Sequence, residues 1–278
     1  MIDRSIMPET KSTRDLRFPD FNKVTLKNGI KVYLVNDNRY PVTTIRLLLK
    51  AGSYCDFFSN GYKSGVSTLT GELISKGTRS MNALEISEKI DFSGALLASG
   101  FGYDGSFLSI ASLKSNLDDV IGLISDFLLN CTFPVDELES KKEQIINSII
   151  SLQDDGSYLA ERVFKNIHYK NTPYQYDPDG YIESVNKINS VDLKNFADKY
   201  YITSNTVIAV VGDFNPEDIV EKLENRFINS PKAKSEDYFV FNEIDFGKGL
   251  VYLTDKEDAS QSSLHLGHSG ITRNNKDY

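Results

Sequence analysis

The chain has 278 residues, 40% hydrophobic and 25% charged. That is an ordinary globular composition, with room for one large domain or one domain and part of another. Its formal net charge of -8 carries no basic run, which argues against a nucleic-acid partner because an acidic surface repels phosphate. No uninterrupted apolar run is long enough to cross a bilayer, so no membrane partner is expected.

Residues 1–20 are polar, mixed in charge and broken by Pro8 and Pro19, and they read as an extended arm. They lack the apolar stretch of a signal peptide. The default location is therefore cytoplasmic, or periplasmic if a leader has been removed. Regular structure is predicted from Val24-Thr25-Leu26, through Asn28-Gly29, to Ile30–Val35, because Asn-Gly between two alternating runs signals a hairpin. Val42 to Ala51 reads as a third strand. Ser64 to Ser75 places Val66, Leu69, Leu73 and Ile74 on one helical face. Ser80 is expected to precede a second helix running to about Phe92, with Leu84, Ile86 and Ile90 as its apolar residues. Ala95–Ser99 and Ser106–Leu113 alternate like strands around a turn containing Gly100, Gly102 and Gly105. Asn116–Leu129 is strongly amphipathic, and Pro134 suits the first turn of a long helix reaching about Gln153.

Further helices are expected around Tyr158–Ile167 and Val191–Tyr200. A buried strand follows at Thr206–Val211, and then a helix opened by Pro216 and ending near Phe227. Pro231–Asp237 is polar and reads as a linker. After it come only strand-like runs, at Tyr238–Ile244, Leu250–Thr254 and Ser262–Leu266, with no helix to cover them. The expectation is an α+β fold, a mainly antiparallel sheet with helices packed on one face, plus the first strands of a second similar domain. The predicted divisions are an arm at 1–20, a first domain at 21–231, a linker and connecting strand at 232–248, and the truncated start of a second domain at 249–278.

Several tempting sites have plainer readings. Cys55 and Cys131 have no cysteine or histidine nearby at ligand spacing and read as reduced, partly buried thiols. His168, His265 and His268 do not converge in sequence, so structural or surface roles are expected. Asp154-Asp155 and Asp177-Pro178-Asp179 fit helix-end and turn chemistry and lack the spacing of a calcium loop. Gly100 to Gly105 lacks the lysine and the following helix of a phosphate loop.

Three segments, in order, carry a resemblance to a known family. Leu26-Lys27-Asn28-Gly29-Ile30-Lys31-Val32 is followed by Ala51-Gly52-Ser53. Next comes Gly65-Val66-Ser67-Thr68-Leu69-Thr70-Gly71-Glu72-Leu73-Ile74-Ser75-Lys76-Gly77-Thr78. The third is Val207-Ile208-Ala209-Val210-Val211-Gly212-Asp213, and Leu266 to Ile271 is similar to the start of a second repeat. Together they resemble the insulinase/pitrilysin family of inverzincin metallopeptidases. Active members carry H-x-x-E-H on the helix after the glycine, where two histidines on one face hold zinc and the glutamate takes a proton from the metal-bound water. A second glutamate, from a later long helix, completes the metal shell.

The resemblance places Thr68 at the first histidine, Gly71 at the glutamate base, Glu72 at the second histidine and Ser148 near the distal glutamate. One carboxylate does not make a zinc site. The chain therefore resembles the family's degenerate branch, with no catalytic residue, no metal ligand set and no cofactor of its own. Zinc is expected only in an active partner. By the same resemblance, Leu97-Ala98-Ser99 aligns with the edge strand on which active relatives dock an extended peptide. The implied function is a non-catalytic subunit or half that binds peptide, an active zinc peptidase subunit, or a second copy of itself. Two alternatives stand beside it: an active metalloendopeptidase with unorthodox ligands, and a standalone binding or scaffold protein.

Overall fold

The computed structural model describes residues 19–58, 63–230, 251–257, 259–272 and 275–278. The Asn28-Gly29 turn sets the first sheet register. Strands β1 (Asn22–Thr25) and β2 (Lys31–Asn36) pair antiparallel with Val24 opposite Val32. Gly29 has φ 98°, a left-handed value that costs little without a Cβ. Asn28 is buried and satisfied, accepting from Ile30 N–H at 3.1 Å and donating to Phe227 O at 2.7 Å.

After β3 (Val42–Leu49) come the short helix α1 (Tyr54–Phe57), α2 (Val66–Leu73) and α3 (Ala83–Phe92). The hairpin β4 (Leu96–Phe101) and β5 (Ser106–Leu113) follows. Next come α4 (Leu117–Leu129), α5 (Val135–Leu152), α6 (Gly156–His168), α7 (Ile182–Asn186) and α8 (Ser190–Tyr200). Strand β6 (Thr206–Gly212) and helix α9 (Pro216–Phe227) close the unit.

The strand order is β1-β2-β6-β3-β5-β4. Only β2 with β6 is parallel, so the sheet is mainly antiparallel. The late strand enters the centre because Ile208 and Val210 are fully apolar on the helix side and sit opposite Leu47 and Ile45. That side of the sheet shares one core with α4 residues Val120, Ile124 and Phe127. On the other side Leu48, Leu113 and Val211 stay exposed, and Arg46 lies over the Phe107 ring at 4.5 Å. Among the described residues the helices therefore lie on one face, as the α+β reading expects. None of the described helices is long and apolar enough to cross a membrane.

Three expectations change. The residue that caps α3 is Asn82, two residues past Ser80, because Asn82 and Glu85 form a reciprocal capping box with bonds of 3.0 and 2.8 Å and the helix starts at Ala83. Only Ile86 is buried there, and Leu84 stays exposed. Pro134 is the N-cap of α5, one residue outside the predicted first turn. The expected strands at 250–254 and 262–266 are not formed over their described residues. A strand needs a neighbour for its N–H and C=O groups, and none is paired with this stretch. The tail instead lies on α6: a Cβ on Gly267 would sit 2.6 Å from the Phe164 ring, and Lys256 is 3.8 Å from Asp154. The expected strand at 238–244, the linker, and the arm as far as residue 18 lie outside the described residues.

Candidate functional site

The site is built around α2. Its N-terminus is held by Asp56, a buried carboxylate from α1. Asp56 accepts from Gly65 N–H and Ser67 N–H, each at 3.0 Å, and from the Ser67 hydroxyl at 3.2 Å. Burial pushes its carboxyl up to about 8, against the lowering effect of those bonds. Gly65, at φ 100°, lets the chain turn into the helix where the Asp179 carbonyl leaves no room for a Cβ. The 177–180 turn packs on this corner. Ser64 donates to Asp177 O at 3.1 Å, and Ser184 donates to Ser64 O at 2.8 Å.

Thr68 is buried and gives its hydroxyl proton to Pro178 O at 2.7 Å. Gly71 lies one turn on, facing the end of β4. A Cβ there would be 2.6 Å from Phe101 Cδ1, so the Phe101 ring fills the space a side chain would need. Glu72 forms an ion pair with Lys141 of α5. Ser148, on the same helix, is exposed and has no hydrogen bond to α2 among the described residues. The structure thus carries Thr68, Gly71 and Glu72 on one short helix and Ser148 on the neighbouring α5, with no hydrogen bond joining it to them among the described residues. Lys141 and Phe101 are the residues that sequence reading missed. Lys141 sits on the stripe of α5 two turns before Ser148, which is the one signal that could have suggested it. Lys142, beside it, is buried and donates to Ile188 O at 3.1 Å and pairs with Glu139 at 2.9 Å.

A zinc ion does not fit this donor set. One hydroxyl is spent on a carbonyl, one position has no side chain, and the single carboxylate already faces an ammonium. Among the described residues no three His, Cys, Asp or Glu converge as a metal group. His168 stacks on Phe164 at 5.0 Å, and His268 Nδ1 lies 2.7 Å from Ser269 O. Cys55 and Cys131 are buried and unbridged, with burial pushing their thiols up to about 12 and about 11. Asp155 caps α6, accepting from Ser157 N–H at 2.7 Å, and Asp177 accepts from Asp179 N–H at 3.1 Å, as helix-end and turn chemistry predicts.

Strand β4 is one edge of the sheet, paired with β5 through Ala98 opposite Ser109 and Ser99 opposite Leu108. Leu97 packs on the core, while Ala98 and Ser99 are exposed. Beyond β4 the turn enters an aromatic cluster that the sequence did not suggest. Tyr103 and Tyr174 are 5.5 Å apart, and the Tyr174 hydroxyl donates to Asp104 at 2.5 Å. Tyr103, Tyr158, Arg162 and Tyr176 line a cavity of about 60 Å³ there.

An antiparallel-rich α+β unit, with a glycine-led helix crossing behind its edge strand, is the architecture this chain shares with M16-type peptidase structures. This chain belongs to the insulinase family, peptidase family M16. The family model described as Insulinase (Peptidase family M16) matches residues 31–177, and the one described as Peptidase M16 inactive domain matches residues 187–278. An uncharacterized zinc protease of Rickettsia felis is 24% identical over 90% of this chain and 59% of its own length. The non-peptidase homolog YmxG of Helicobacter pylori is 24% identical over 86% of this chain and 55% of its own. The crystal structure of a peptidase M16 inactive domain from Pseudomonas fluorescens superposes with a TM-score of 0.73, at 26% identity, over 78% of this chain and 52% of that one. The chain spans little more than half the length of these relatives.

Proposed function

We propose that this chain is a non-catalytic member of its family, which binds extended peptide and an active zinc peptidase partner and cuts nothing itself. The observation that carries this reading is the Glu72–Lys141 ion pair, an ammonium where the family's metal would need to stand. Thr68, Gly71, Glu72 and Ser148 are then the vestiges of the ligand set. The edge at Leu97, Ala98 and Ser99, unpaired on its outer side among the described strands, supports peptide docking, since strand addition uses backbone groups that any sequence offers. Residues 249–278 are the start of a second unit in this reading, and zinc belongs to the partner.

Two measurements test it. Equilibrium dialysis of the full chain against zinc should show no stoichiometric binding, and stoichiometric zinc with chelator-sensitive peptide cleavage would overturn the proposal. The second restores the ligands through Thr68→His, Gly71→Glu, Glu72→His and Ser148→Glu. Because Phe101 occupies the space over Gly71, Phe101→Ala must accompany them. Micromolar zinc binding by the fivefold variant would support the assigned positions. No gain in affinity by a variant that still melts cooperatively would show that they are wrong.

A further inference from the structure

The opposite edge of the sheet carries a second surface. Among the described strands, β1 pairs only with β2. Leu26 N–H donates to Ile30 O at 2.9 Å. Antiparallel alternation then turns the backbone groups of Val24 toward β2 and those of Lys23 and Thr25 outward. Helix α9 runs beside this edge, pinned by Lys27 N–H to Glu224 Oε1 at 2.8 Å and by Asn28 Nδ2 to Phe227 O at 2.7 Å. Between them lies a groove of about 780 Å³.

Val24, Leu34 and Val220 contribute its apolar lining, Lys27 lines it just past β1, and Glu217, Glu221 and Glu224 line it from α9, so its acidic groups outnumber its one basic group. These glutamates are spaced four and three apart, which places them on one helical face. Of the cations of α9, Lys222 pairs with Asp118 at 2.7 Å and with Asp218 at 2.8 Å, and Arg226 lies toward α4, its Nη2 3.5 Å from where a Cβ on Gly122 would stand. Glu217 and Glu221 make no ion pair among the described residues. A charged helix face is usually only solvated. Here it borders an open apolar floor and a strand edge left unpaired among the described residues.

We propose that this groove takes an extended basic segment of another protein chain, added to β1 as a further strand with Lys or Arg at every second position. Strand addition uses the outward backbone groups of Lys23 and Thr25. The strand's two-residue period then sends alternate side chains over α9. Their aliphatic stems cover Val24 and Val220 while their charges reach Glu217 and Glu221. An acidic segment meets like charge and is rejected. This surface lies across the sheet from β4 and does not rest on the reading of β4 as a docking edge.

The test uses the intact chain and two short fluorescent peptides carrying a photo-crosslinker, one alternating Lys with Val and one alternating Glu with Val. The Lys peptide should bind, weaken as salt rises, and crosslink to β1 or α9, while the Glu peptide should not bind. The double variant Glu217→Gln/Glu221→Gln should weaken binding by roughly tenfold, as two partly exposed charge pairs would give. Failure of the Lys peptide to bind would overturn the proposal, whether or not the chain covers its own edge. Crosslinks confined to β4, or equal affinity for the double variant, would overturn it too.

Discussion

Strands β4 and β1 are the two ends of one sheet, yet their surroundings differ. Behind β4 stands α2, whose polar groups face inward partners: Asp56 caps the helix, Thr68 meets Pro178, and Glu72 forms an ion pair with Lys141. Phe101 closes the one small gap, over Gly71. Beside β1 stands α9, with Glu217 and Glu221 left without cations among the described residues. Both edges offer the same kind of backbone, so side chains alone can distinguish what each accepts. One end has spent its polar groups on internal bonds, and the other still presents charge.

The sharpest way to break that comparison is Gly71→Glu. Its side chain would meet Phe101, and overpacking of this kind costs about 1–3 kcal/mol. Thermal melting should fall by roughly 2–4 °C per kcal/mol, and Phe101→Ala should return part of the loss. An unchanged melting temperature would mean that the ring does not close the gap.

Next comes pH. The Asp56 carboxyl is raised to about 8 in the folded chain, above its ordinary value. The folded state therefore holds this proton more tightly than the unfolded state does. Its stabilising contribution is complete at pH below the unfolded value of about 3.9 and is lost as pH rises through the folded one. Melting temperature should decline between about pH 4 and pH 8, a slope that Asp56→Asn should flatten. Faster amide exchange in α2 than in β1 at the alkaline end would place the effect at the β4 side. A slope unchanged in the variant would assign it to other groups.

Smaller still is Lys141→Met. It leaves Glu72 half-buried without its cation, and the expected cost is about 1 kcal/mol or less because both side chains keep some solvent. Adding Glu72→Gln should recover most of it, and a double-mutant cycle with no coupling would remove the ion pair from the argument. The smallest effect belongs to Glu217→Gln/Glu221→Gln, which should shift stability by no more than about 0.5 kcal/mol, as for ordinary surface positions. A large loss would show that these carboxylates hold the fold together.

The elements that sequence reading located best are those with strong local rules. Asn28-Gly29 fixed the first hairpin, and the apolar period of 117–129 matched α4. Helix α3 was placed, but of its apolar residues Leu84 stays exposed, while Ile86 is buried and Ile90 packs on the core, a division that sequence alone did not show. The short helices α1 and α7 carry too few residues to show a period at all. The tail shows a further limit. Alternation marks residues able to form a strand, but pairing requires a neighbour that alternation cannot supply.

The sequence by itself determined the family, the hairpins, most helices and the absence of H-x-x-E-H from the helix after Gly65, since these depend on residue type and spacing along the chain. Tertiary structure decided what those positions meet. Lys141 reaches Glu72 across 69 positions, and Phe101 meets Gly71 across 30. It also decided that three glutamates of α9 line the same groove as Val24 of β1. Local spacing governs which groups share a face of one element, whereas meetings between elements depend on how the whole core closes, which no local pattern encodes.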